Sequence, residues 1–216
     1  MADRPISDEG GDIAASVVAA VLRDAGDAAY GRLVVTGPTP SAARPALYSV
    51  APAQLISRPV KHADDARAAL AGLWLWFDAL DECHQIAQQI ASPTGSFWHA
   101  IMHRREGDFS NAKYWYHRCD GHHVLKLMGA VASSLAGEFS SDRTVARALV
   151  GGWNADGFVD LVAAVHDKPS DPRHELAVRL QRLEWKGLFD YCLREAVEAD
   201  RADIDAWDER VAGRGT

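Results

Sequence analysis

Apolar residues recur every three or four positions along most of this chain, the spacing that lines one buried face of an α-helix. Ile13, Val17, Val18, Val21 and Leu22 predict a first helix over 12–24, stopped by Gly26. From Tyr30 to His62 the rhythm is lost, and Pro38, Pro40, Pro45, Pro52 and Pro59 forbid a long helix. This stretch reads as an extended, Pro-rich arm or loop. Its apolar pieces, 33–35 and 47–50, are expected to pair as a short hairpin or to lie across helices. A loop this long is uncommon unless functional or well packed, so a lid is one expected role.

Beyond Asp64 the helical signal dominates. Asp64 or Asp65 can cap a helix that meets no breaker until Pro93, which predicts one long core helix over 65–91. Further helices are expected over 96–106, 110–119, 122–137, 142–149, 155–166 and 173–199, with Gly, Asp or Pro at each junction. Short links make neighbours antiparallel, and no repeated unit is present. The expected fold is all-α, a compact multi-helix bundle or orthogonal helical array in one domain over 1–216. Residues 200–216 form an acidic tail whose Ile204 and Trp207 are expected to dock on the body or on a second subunit, which makes a homodimer one expectation.

Composition narrows the function classes. The 216 residues carry a net charge of −7, which disfavours a phosphate backbone and argues against nucleic-acid binding. The longest apolar run, 70–77, is too short to cross a bilayer, and the acidic first eleven residues lack a signal peptide's features. A cytoplasmic location is expected. Cys83, Cys119 and Cys192 are widely spaced and read as buried free thiols.

The candidate chemistry lies in the middle of the chain. Along the long helix the stripe Leu70, Leu73, Trp74, Phe77 continues into Asp81, His84, Gln85 and Gln88, so polar groups replace core residues and suggest a pocket wall. On the next helix His99, His103 and Glu106 stand at i, i+4 and i+7, along one side. Two imidazoles one turn apart suit a metal ion, with Glu106, Asp108, Glu82 or His84 completing the set. The competing reading has these histidines hydrogen-bonding to carboxylates and orienting helices. Arg104, Arg105, Lys113, Arg118 and Lys126 form a basic island on an acidic molecule, and the break at Gly107 ahead of Ser110 and Asn111 exposes helix amides to an anion unless Asp108 caps them. Phe109, Ala112, Tyr116 and Cys119 share one face and read as core.

A pocket between 65–91 and 96–119 is therefore expected to take a small polar or anionic molecule. Its acid/base candidates are His84, His103 and Glu106, and its binding candidates are Asp81, Glu82, His99, Arg104, Arg105, Asp108, Asn111 and Lys113. Two alternatives stay open: a non-catalytic helical scaffold or dimer, and a helical metalloprotein with Zn, Mn or Fe on the same histidines. The run from Trp98 to Trp115, WHAIMHRREGDFSNAKYW, preceded by Leu80-Asp-Glu-Cys-His84, resembles a string shared by a group of bacterial helical proteins. The resemblance covers about the middle third of the chain and implies no reaction, cofactor or catalytic residue.

Overall fold

The computed structural model describes residues 14–198 apart from 26–29, 39–40, 42–43, 120, 136–138 and 140, with backbone alone for 131–135. The tail 200–216, with the docking and dimer expectations attached to it, lies outside the described residues, as does the start of the first helix at 12–13. The described residues form α1 (Ser16–Ala25), two short 3-10 helices (Arg44–Ser49 and Pro52–Leu55), α2 (Ala63–Trp76), α3 (Leu80–Ala87), α4 (Pro93–Glu106), α5 (Phe109–His117), α6 (His123–Leu135), α7 (Arg143–Leu149), α8 (Ala155–Val165) and α9 (Pro172–Val197). The fold is all-α and compact. Its helices begin where local chemistry starts them. Ser92, Asp108, Asp142, Asn154 and Asp171 each accept a backbone N–H of the first turn with the side chain, and Pro93 and Pro172 stand just inside their helices.

The long helix expected over 65–91 is two helices. The chain turns at Asp78, which adopts a left-handed φ of 57°. A non-glycine residue is held there because its buried carboxylate takes Arg32 at 2.7 Å and Arg105, contacts that offset the local strain. A signal of this kind has no periodicity. Only the approach of residue 32 and α4 creates it.

α2 is buried on nearly all sides, from Ala66 through Phe77, and is the central rod. It packs against α9, α3 and α4, with Gly72 letting the Trp98 ring approach and its carbonyl accepting the Trp185 indole N–H at 2.7 Å. A second core joins α7 and α8 to the first half of α9 through Val145, Leu149, Phe158, Leu161, Leu176 and Leu180, with Leu33 from the arm.

The arm makes no hairpin among the described residues. It crosses helices instead, held by Val35 N–H to the Arg105 carbonyl at 2.8 Å and by the Gln181 side-chain amide to the Tyr30 and Arg32 carbonyls at 3.1 and 3.0 Å. Leu47 and Leu55 are buried, and the end of the arm docks on α9 through Lys61 N–H to the Ala196 carbonyl at 2.8 Å. Tyr30, Leu33, Val35, Leu47, Leu55 and Ile56 are buried against the body, which with these hydrogen bonds makes the described part a packed strap.

Candidate metal centre

α3 and α4 are adjacent in sequence and in space, and their junction brings three imidazoles together. His99 and His103, four residues apart on α4, stack with ring centroids at 4.9 Å; His84 of α3 lies 4.6 Å from His99 and 5.7 Å from His103. One nitrogen from each ring falls in a set whose members all lie within 4.8 Å of one another. Around a tetrahedral zinc ion, at about 2.0–2.1 Å from each nitrogen, such atoms stand about 3.3 Å apart, so closure asks each ring to move by under about 1 Å.

The surroundings decide how the rings ionise. His99 is buried, with the Trp115 indole stacked on it at 4.0 Å. Burial, and then the charges of His103 and His84, lower its pKa to about 4, so at neutral pH the ring is unprotonated. Its Nδ1 is buried and makes no hydrogen bond. An orphaned, neutral imidazole nitrogen beside two more imidazoles is what a metal ion would satisfy.

His103 is oriented by its neighbours. Its Nδ1 lies 2.9 Å from a Glu106 carboxylate oxygen, and its Nε2 lies 3.1 Å from Asn111 Nδ2. A carboxylate on Nδ1 places the ring hydrogen there and leaves the Nε2 lone pair to accept from the Asn111 carboxamide, or to turn to an ion that takes its place. Asn111 is positioned in turn because Asp108 caps α5 and accepts the Asn111 backbone N–H at 3.1 Å. The same cap, with the Ser110 hydroxyl donating at 3.0 Å, fills the α5 N-terminus and holds the Asp108 carboxyl below its usual range. The helix amides are thus occupied by the protein's own anion.

The remaining expected pocket residues fall elsewhere. Arg104 is fully buried on another side of α4, paired with Glu184 at 2.7 Å, donating to the Tyr116 hydroxyl, and lying 4.5 Å from the Phe158 ring. Arg105 is equally buried, on Asp78, on the Leu75 carbonyl at 2.8 Å and over the Tyr30 ring at 3.8 Å. Consecutive residues on a helix point about 100° apart, so His103, Arg104 and Arg105 cannot share one hollow. Lys113 pairs with Asp160, Glu82 takes the Tyr48 hydroxyl, and Asp81 is exposed. The structure therefore joins His84, His99, His103, Glu106, Asp108 and Asn111, and separates Asp81, Glu82, Arg104, Arg105 and Lys113 from them.

Two residues take parts that the sequence did not assign. Trp115 walls the histidine cluster, stacked on His99. Glu184 stands in the core as the partner of Arg104. A carboxylate one helical turn from Leu180 and Leu188 was the available hint. No helix of the described residues is long and apolar enough to cross a membrane. No family model, curated protein or solved structure matches the chain, so the site is read from its own geometry.

Proposed function

We propose that the protein binds a divalent first-row transition metal, zinc foremost, through His84, His99 and His103, and that its activity belongs to this centre. The observation that carries the reading is the convergence of the three imidazoles, two of them buried, with ligand nitrogens within 4.8 Å. All-imidazole sets suit zinc and its neighbours, and three protein ligands leave a position open, as catalytic rather than structural sites do. A metal held this way supplies a Lewis acid and an activated water near neutral pH. Within the chain, His99 offers an unprotonated nitrogen, Glu106 orients His103, and the Trp115 indole shields one side from solvent. All of the residues named, from His84 to Trp115, come from the middle third of the chain.

The test is metal content by elemental analysis of tag-free protein, followed by calorimetric titration of the metal-free form with zinc. One ion per chain is expected, and His84→Ala, at a half-buried position, weakens binding by more than about 100-fold, beyond what loss of a supporting residue brings. A protein with no stoichiometric metal that takes none up on reconstitution overturns the reading.

A second reading rests on the 2.9 Å contact between His103 and Glu106, which is also the geometry of a general base oriented by a carboxylate. It needs no ion. Activity or ligand affinity that survives a chelator and disappears in His103→Ala distinguishes it from the first.

A further inference from the structure

An ion bound by an imidazole lies in the plane of the ring, on a nitrogen lone pair. His99 and His103 are stacked at 4.9 Å with their planes only 15° apart, so an ion in the plane of one lies out of the plane of the other. Coordination by both therefore requires one ring to turn about its Cβ–Cγ bond. His84 meets no such obstacle, since its plane already crosses theirs at 56° and 66°.

The neighbours decide which ring turns. His103 is held at both nitrogens, Nδ1 by Glu106 at 2.9 Å and Nε2 by Asn111 at 3.1 Å. His99 gives up no hydrogen bond at Nδ1, which makes none. What holds the His99 plane is Trp115, whose indole lies 4.0 Å away and within 16° of parallel. A turn of His99 breaks that stack, so the stacked and the coordinated arrangements exclude one another.

Trp115 joins this choice to the surface. It is half-buried, the exposed Tyr114 meets it edge-on at 5.4 Å, and the guanidinium of the exposed Arg118 lies 5.4 Å from its ring and 5.8 Å from that of Tyr114. The core side of α5 is anchored separately: Ala112 and Tyr116 are buried, and the Tyr116 hydroxyl donates to Glu184 at 2.8 Å. The outer cluster is the part that can yield.

We infer that the ion and Trp115 compete for His99, so that loading the centre releases the indole and rearranges the exposed Tyr114, Trp115 and Arg118 cluster on α5. This rests on the metal reading above and adds the regulation of that site, with α5 carrying the state of the centre to the surface.

The experiment compares the zinc affinity of the wild-type protein with that of Trp115→Leu, by competition with a chromophoric chelator, and determines the crystal structure of the zinc-loaded wild-type protein. Leucine keeps apolar bulk and lacks the ring plane, so the variant is expected to bind zinc about 2- to 10-fold more tightly, the share of one aromatic stack. A Trp115 that only supports the ligand gives the opposite sign. Equal or weaker binding by a folded variant overturns the inference. In the zinc-loaded structure the His99 and Trp115 rings are expected to be unstacked, and a parallel stack persisting beside a bound ion overturns the inference whether or not the variant folds. A wild-type protein that takes up no zinc is a separate outcome that removes the metal reading itself, and the inference with it.

Discussion

Glu106 is the residue whose exposure and role most clearly diverge, being half exposed yet bonded at 2.9 Å to a ring that is 90% removed from solvent. In the proposed centre it would act through the ring, setting the His103 tautomer. Glu106→Gln keeps the shape and loses the charge, so zinc affinity is expected to fall by about 10–100-fold while the fold persists, measured by competition with a chromophoric chelator. His122 offers a different measurement. It is buried against Phe97 and Tyr191, its Nδ1 accepts the Val124 N–H at 3.2 Å, and burial followed by the charge of His123 lowers its pKa from 6.5 to about 4. The unfolded chain therefore takes up a proton near pH 6.5 that the folded chain refuses until about 4. Stability must fall as pH drops through that window, and His99 contributes in the same direction. Urea midpoints of the metal-free protein between pH 7 and 4 check this, and His122→Asn, which retains an acceptor for Val124, is expected to flatten the slope.

At the scale of elements, the site depends on α3 and α4 being separate, closely packed rods. The end of α4 was legible in Gly107, with a φ of 90°, but its start was not: Ser92 and Pro93 open the helix where Pro93 read as a breaker and the helix was expected from residue 96. The break between α2 and α3 was not legible, because Asp78 turns the chain through contacts with Arg32 and Arg105 that lie 46 and 27 residues away. Close approach is similarly invisible locally. Gly157 in the first turn of α8 has an ordinary backbone, yet a Cβ there would stand 2.7 Å from the Arg147 carbonyl oxygen on α7. Helix propensity alone makes Gly157→Ala stabilising, and the clash with backbone reverses the sign. The variant is expected to lose about 1–3 kcal/mol, read from urea denaturation, with the damage confined to the α7–α8 core.

Across the whole molecule, the most consequential feature is the buried polar system that ties α4 to α5 and α9. Burial pushes the Glu184 carboxyl up, and Arg104 and the Tyr116 hydroxyl, at 2.8 Å, pull it back. Removing one member strands a charge in the core. Glu184→Leu is expected to lose about 3–5 kcal/mol, whereas the double variant Arg104→Met with Glu184→Leu recovers much of that loss, a comparison made by a double-mutant cycle in urea. The result bears on the site as well, because Arg104 follows His103 directly and fixes the rotation of α4. With α4 held by Arg104 and Arg105 on one side, His99 and His103 are left facing α3.

The amino-acid order by itself determined the helical class, the start and end of most helices, the buried thiols and the alignment of His99 with His103 one turn apart, since each follows from periodicity, capping or local spacing. Each of those features is set by neighbours no more than about four positions away or, for the thiols, by the general preference of that side chain for the interior. Tertiary structure alone decided that His84 joins the pair, that Asn111 reaches His103, and that Arg104 and Arg105 turn inward to Glu184 and Asp78. The physical reason is that a cationic side chain beside a histidine reads identically whether its partner is an anion in solvent or a carboxylate on another helix. Burial, which selects between the two, is a property of packing across 80 residues of intervening chain.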